Sequence, residues 1–331
     1  MTRCDRNSFW PMPVNDILSA ELPKKATRDG YGDALVAMGE QYSKLVVLDA
    51  DLSGSTKTKP FAKKYPDRFF NFGVAEQNLV GQAAGLALSG MLPVASSFAI
   101  FLTGRAWEIV RNSVAYPGLN VKLAATHAGI TLGEDGASHQ IIEDISIMRT
   151  IPGMTVLVPA DYWQAYRALE AALSYEGPVY LRLGRPGIPV FYEEQDSFVI
   201  GKGRVLQEGE KVAFIACGVM VLEAWRAAVK LKSEGINATV VDMSTVKPLD
   251  NELLEKLTKT HERFITFEEH NIIGGLGSAV AEFTSSLANP VQVTRVGIED
   301  TFGQSGSISD LMKHYKLSSD ELIPKLKELL Q

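Results

Sequence analysis

Short apolar and β-branched runs that alternate with longer helix-like stretches constrain this chain more than any other feature. Leu45–Asp49, Arg68–Phe72, Leu92–Ser96, Val121–Thr126, Thr155–Val158 and Val179–Leu183 have the length and composition of buried strands. Helical patterns fill residues 30–41, 76–89, 103–114, 139–149 and 161–175, and Asp161 with Gln164 resembles a capping box opening the last. Parallel strands need a crossover between them, usually a helix, so this alternation predicts a mostly parallel sheet with helices on its faces.

The pattern breaks at Gly184-Arg185-Pro186-Gly187-Ile188-Pro189 and at the polar segment Glu193–Ser197. It resumes with strands at Val212–Cys217, Ala238–Met243, Arg263–Phe267 and Val291–Val296, and with helices at 219–234, 250–260 and 275–287. A final helix is expected from Ser318, with Glu321 completing its capping box. The chain therefore reads as two consecutive three-layer α/β domains: an arm over 1–24, a first domain over 25–190, a linker over 191–202 and a second domain over 203–331. Its 331 residues suffice for two cores.

Composition narrows the function. The net charge is -6, with both signs interspersed, so there is no basic stripe for nucleic acid. Residues 79–102 are largely apolar, but Gly81, Gly85, Gly90, Pro93, Ser96 and Ser97 interrupt them, which fits a buried helix and strand rather than a membrane span. Cys4, in the arm, and Cys217, ending an apolar run, offer no disulfide framework. The first residues lack the apolar core of a signal peptide, and a cytoplasmic protein is expected.

Chemistry concentrates in His127-Ala-Gly-Ile-Thr-Leu-Gly133-Glu134-Asp135-Gly136-Ala-Ser-His139. Two imidazoles bracket an acidic, glycine-rich turn just past a strand end, where ligands bind in open α/β sheets. A zinc site does not fit that spacing, and no metal ligand is assigned. Glu76 opens a helix after Gly73. It either complements the helix dipole or, beside the small residues Gly81, Ala83, Ala84, Gly85 and Ala87, faces a close interface where a carboxylate can hydrogen-bond a heterocycle. Phe98 and Phe101 suit core packing or a stacking platform, and spacing does not choose. Arg28 and Ser55 read as surface groups when taken singly, whereas Arg185, in a turn at a strand end, can bind phosphate or carboxylate. Gly274-Gly275-Leu276-Gly277 reads as close packing at a strand-to-helix turn.

Together these segments resemble the transketolase family of thiamine diphosphate enzymes over about residues 25 to 331. The order is that of the family's pyrimidine-binding and C-terminal domains: Ala26-Thr27-Arg28, then Ala50-Asp51-Leu52-Ser53-Gly54-Ser55, Gly73-Val-Ala-Glu76-Gln-Asn78, and Ala125-Thr-His127 through His139-Gln. The resemblance implies that Glu76 hydrogen-bonds the aminopyrimidine of thiamine diphosphate and favours its imino form. It implies that Phe98 and Phe101 surround that ring and that Asp51 lies near the cofactor at a subunit boundary. His127 and His139 would contact substrate oxygens and assist proton transfer, and Asp135 would read a substrate hydroxyl. Arg28, Ser55 and Arg185 would hold the sugar phosphate.

Two departures stand out. Gly104 occupies a position where many members have tyrosine, and Arg105-Ala-Trp107-Glu108 follows. The family's Gly-Asp-Gly and later Asn, which hold the diphosphate and Mg²⁺, are also missing from the sequence. The resemblance therefore implies the C-terminal subunit of a split transketolase, with Mg²⁺ held mainly by an N-terminal partner chain. It further implies a heterotetramer of two plus two and self-contact through residues 76–89. Ranked lower are the β-subunit of a 2-oxo acid dehydrogenase E1 component, a 1-deoxyxylulose-5-phosphate synthase fragment and a non-catalytic subunit that keeps the fold. Gly133–Gly136 with His139, and the Arg28/Ser55/Arg185 set, suit phosphorylated sugars better than simple 2-oxo acids.

Overall fold

In the computed structural model, residues 17–18 and 22–330 are described. Cys4 and most of the arm lie outside the described residues. The first sheet has seven strands in the order β12-β6-β7-β5-β4-β2-β3. They are β2 (Leu45–Asp49), β3 (Phe69–Asn71), β4 (Leu92–Phe98), β5 (Lys122–Thr126), β6 (Thr155–Leu157), β7 (Val179–Arg182) and β12 (Thr245–Lys247). All are parallel except β12, which runs antiparallel to β6. A short antiparallel pair, β1 (Lys24–Ala26) with β8 (Gly187–Pro189), ties the start of this unit to its end.

The strands are apolar on both faces because helices cover both. Leu45 and Val47 pack into one hydrophobic cluster with Tyr31, Leu35 and Leu169, while Val46 and Leu48 pack into another with Leu79, Val80 and Ile145. Helix α1 (Thr27–Gln41) crosses helix α2 (Tyr162–Ser174) so closely that a Cβ on Gly30 would collide with the Tyr162 carbonyl. Asp161 caps α2: its Oδ1 accepts the Gln164 N–H at 2.9 Å, and its Oδ2 accepts the N–H groups of Phe191 and Tyr192.

The second sheet has the order β14-β13-β10-β11-β9. Its strands are β9 (Arg204–Gln207), β10 (Lys211–Ala216), β11 (Thr239–Asp242), β13 (His261–Asn271) and β14 (Gln292–Ile298), parallel except for the β9 edge. The fold is thus two α/β domains, as the alternation predicts. Several helices differ at their ends. The 103–114 stretch extends to Ile100–Ala115 and contains two π-helical segments, and the 139–149 stretch becomes helical only at Asp144. At the final helix, the Ser319 N–H is taken by Glu223 of a neighbouring helix at 2.6 Å.

Buried charge fastens the domains together. Arg182 Nε donates to Asp144 Oδ2 at 2.7 Å, Tyr180 donates to the same oxygen at 2.6 Å, and Arg182 Nη2 donates to the Glu269 carbonyl at 3.0 Å. Glu269 Oε1 accepts the Thr131 N–H at 2.6 Å, joining β13 to the His127–His139 loop. Glu268 fills the N-terminus of helix Leu276–Ser285, accepting the N–H groups of Leu276 at 2.6 Å and Gly277 at 2.8 Å. A Cβ on Gly275 would strike that carboxylate, which explains the Gly-Gly-Leu-Gly turn as close packing. Burial pushes Glu268 up to about 7, with its hydrogen bonds opposing the shift.

Candidate active site

Parallel strands put all their carboxyl ends on one edge of a sheet, and this edge gathers the candidate residues. Sheet order reverses at β2, which has β3 on one side and β4 on the other. Asp51 follows β2, Glu76 follows β3, Phe98 ends β4, His127 follows β5 and Arg185 follows β7. Arg28 lies in the first turn of α1.

A run of ring contacts links much of the set. The His127 and Phe98 rings stack at 3.8 Å, Phe98 and Phe101 lie 6.1 Å apart and nearly parallel, and His139 meets Phe101 edge-on at 5.4 Å. Glu76 opens helix Glu76–Leu88 and is buried, its side chain 1% exposed. Its Oε1 accepts a long 3.4 Å bond from Ser97, and its Oε2 pairs with Arg105 at 2.6 Å.

Arg28 Nη1 reaches His127 Nε2 at 3.2 Å and the Ser55 carbonyl at 2.9 Å. A guanidinium can only donate, so Nε2 accepts and Nδ1 carries the proton, which it gives to Thr126 Oγ1 at 2.8 Å. Burial, then Arg28, Arg185, His139 and Lys57, push His127 down to about 3. The ring is neutral near pH 7 and fixed in one tautomer. Buried Arg28 Nε has no hydrogen-bond partner among the described residues. Arg185 Nη1 donates to the Leu132 carbonyl at 2.6 Å and pairs with Glu134 at 3.4 Å. Asp51 is exposed and exchanges two bonds with Asn71, and Asp135 is exposed near the tip of its loop.

Asp51, His127 and Lys57 have φ of 63°, 63° and 68°, left-handed conformations that cost non-glycine residues energy and cluster at functional sites. Buried Asp49 shapes the Asp51–Lys57 turn. Its Oδ1 accepts the Leu52 N–H at 2.6 Å, and its Oδ2 accepts the Thr56 and Thr58 hydroxyls at 2.6 and 2.9 Å. Sequence reading missed Asp49, Lys57, Asn71, Ser97 and Arg105 as members of this edge. Gln140 stood only as a motif letter, yet its amide donates to the carbonyls of Ile130, Gly133 and Gln304, pinning the loop to the second domain. A cavity of about 580 Å³ between the domains, lined by Phe191, Leu222, Arg226 and Met312 among others, includes none of the candidate residues. Among the described residues no group of three His, Cys, Asp or Glu side chains could hold a metal, and no helix is long and apolar enough to cross a membrane.

Comparison with known proteins matches this arrangement to named domains. Residues 23–189 match the pyrimidine binding domain of transketolase, and residues 201–322 match the transketolase C-terminal domain. A Methanocaldococcus jannaschii protein, provisionally named a transketolase C-terminal section, is 51% identical over 92% of this chain and 96% of its own length. The 6-deoxy-6-sulfo-D-fructose transketolase subunit SqwH of a Clostridium species is 39% identical over 96% of this chain and 98% of its own. A solved structure described as a split gene transketolase, inactive beta4 tetramer, superposes with a TM-score of 0.84 at 50% identity, covering 92% of this chain and 97% of that one. Both domain models match in order, and the relatives are covered almost end to end; the chain belongs to the transketolase family, as its pyrimidine-binding and C-terminal half.

Proposed function

We propose that this chain is the C-terminal subunit of a two-chain transketolase that moves a two-carbon ketol unit from a ketose phosphate to an aldose phosphate with thiamine diphosphate. The observation that carries the reading is the carboxyl-edge cluster: a buried carboxylate linked through Arg105 to the Phe101 ring, Phe98 stacked beside that ring, and Arg28 on a neutral histidine that stacks on Phe98. The first group fits the aminopyrimidine end of the coenzyme, and the second fits an anionic sugar. The sequence contains no Gly-Asp-Gly, and among the described residues no three His, Cys, Asp or Glu side chains cluster as a metal site. An N-terminal partner chain holds the diphosphate and Mg²⁺ in this reading, in an assembly of two plus two.

Glu76, Phe98 and Phe101 would hold the pyrimidine, with Asp51 near the subunit boundary. When bound, the coenzyme supplies the carbon nucleophile and accepts the electrons of the cleaved carbon–carbon bond. The chain's own groups do the rest. Glu76 holds a hydrogen bond to the ring. Arg28, whose Nε has no partner among the described residues, and Arg185 bind the sugar's anionic end together with Ser55. His127 presents a fixed neutral imidazole to a substrate hydroxyl, while His139 assists proton transfer and Asp135 reads a hydroxyl. Self-contact through helix Glu76–Leu88 is supported by an outward face where a Cβ on Gly81 or Gly85 would meet nothing within 4 Å, near Val74 and Leu88, which are 75% and 74% exposed.

The test is reconstitution. Mixed with a chain bearing Gly-Asp-Gly and the later Asn, the protein should show ketol transfer from xylulose 5-phosphate, and alone it should be inactive. The relative named for 6-deoxy-6-sulfo-D-fructose makes a sulfonated sugar the natural competitor in that assay. Tight thiamine diphosphate binding and turnover by the isolated chain would overturn the two-chain reading. Decarboxylation of 2-oxo acids in place of ketol transfer would overturn the substrate assignment.

A further inference from the structure

Among the described residues Glu76 has one strong partner, and that partner is not a fixed part of the core. Arg105 ends the π-helical segment Ile100–Arg105, four residues beyond Phe101. Its Nη1 lies 2.6 Å from Glu76 Oε2, and its guanidinium carbon lies 4.6 Å above the Phe101 ring centroid. The Arg105 side chain is 46% exposed, against 1% for Glu76. Only the Arg105 backbone is tied down from the other side, its carbonyl accepting Gln77 Nε2 at 3.3 Å. Gly104 does not demand this arrangement, because a Cβ there would make only an ordinary 3.5 Å contact with Ile100.

A guanidinium and an aminopyrimidine share a shape. Both are flat, both delocalise electrons over an N–C–N unit, and both offer N–H donors to a carboxylate while stacking on an aromatic face. We infer that the Arg105 side chain is a removable stand-in for the coenzyme's aminopyrimidine: it covers Phe101 and neutralises Glu76 until the ring arrives, then leaves toward solvent. This rests on the coenzyme reading given above. A buried carboxylate without a cation is costly, so an exchangeable partner lets Glu76 stay charged and ordered before the coenzyme binds. The arginine also competes, so its removal tightens coenzyme binding. A residue that merely walled the pocket would do the reverse.

The experiment uses the assembled two-chain protein and thiamine diphosphate, with affinity read by calorimetry. Arg105→Met keeps an unbranched stem over Phe101 without plane or charge, and Arg105→Lys keeps charge without plane. Arg105→Met should bind thiamine diphosphate roughly three- to tenfold more tightly, as expected when a partly exposed ion pair no longer has to be broken. Arg105→Lys should fall between it and the unaltered chain. In the free chain, Arg105→Met should lower the thermal midpoint, and adding Glu76→Gln should restore it. Equal or weaker affinity for Arg105→Met overturns the inference, as does an unchanged midpoint. If the unaltered assembly forms but binds no thiamine diphosphate, the coenzyme reading falls and the stand-in with it; a failure confined to the Arg105 variants leaves that reading intact.

Discussion

The carboxyl edge of the first sheet and the seam between the domains are built from the same residue types and use them in opposite ways. Each holds a neutral histidine of fixed tautomer. At the edge, His127 takes a hydrogen bond from Arg28 and stacks on Phe98. In the seam, His270 Nε2 accepts the Ser146 N–H at 3.3 Å, so Nδ1 donates to the Asn271 carbonyl at 2.7 Å. Each also holds a carboxylate–arginine pair. Asp144 and Arg182 are 0% and 6% exposed, whereas the arginine paired with Glu76 is nearly half exposed. Seam charges are sealed by other parts of the chain, and edge charges can exchange partners. Accessibility of the partner, more than residue type, separates a fastening from a site.

The largest expected effect breaks the edge alone. In the proposed two-chain assembly, Glu76→Gln should leave fold and assembly intact while turnover drops roughly 10²- to 10⁴-fold, the usual range for a lost proton-handling group. Steady-state kinetics checks this, and near-normal turnover would return Glu76 to a structural role. Arg182→Met should do the converse, stranding Asp144 and Glu269 in the seam at a cost of about 3–5 kcal/mol in chemical denaturation. A loss under ~1 kcal/mol, typical of an exposed pair, would mean that the seam is solvated.

A third contrast is smaller. Arg28→Ala should raise KM for phosphorylated sugars by roughly tenfold or more with a lesser change in kcat, since a lost charged hydrogen bond weakens binding by about 1.5–3 kcal/mol. The smallest effect is in pH dependence. Burial, first of all, holds His127 at about 3 and His270 at about 4 in the fold, against the ordinary histidine value of 6.5. A depressed folded value means the unfolded chain binds protons first. The contribution to stability is therefore full above pH 6.5 and lost as pH falls toward the folded values. His127→Asn and His270→Gln should each flatten the fall in thermal midpoint between pH 6.5 and 4. Unaltered enzyme should show no His127 ionisation in KM between pH 5 and 8, and a step near 6.5 would place that ring in water.

The two-sheet plan was legible because strand and helix periods are local. Leu45–Asp49 matches its strand end to end, and Asp161 caps its helix through the Gln164 N–H, although the Gln164 side chain turns back to the Ala160 N–H and leaves the expected capping box half formed. That the candidate residues share one edge was legible in outline, because turns after parallel strands must lie on one side. What escaped depended on distant partners. Lys57 looks like any surface lysine until a left-handed turn over Asp49 sets its ammonium 3.0 Å from Asp29, within electrostatic reach of His127. Arg182, Glu268 and Glu269 lie inside strands and carry no motif. The crossing of β12 into the first sheet also left no trace in composition.

From the sequence alone came the alternation, the glycine turns and the order of chemistry-bearing residues, since each is set by a few neighbouring positions. Only tertiary structure decided which nitrogen of His127 bears the proton, which cation neutralises Glu76 and which charges fasten the domains. Those outcomes depend on burial and on partners up to 138 residues away, as between Thr131 and Glu269, and local pattern holds no record of them.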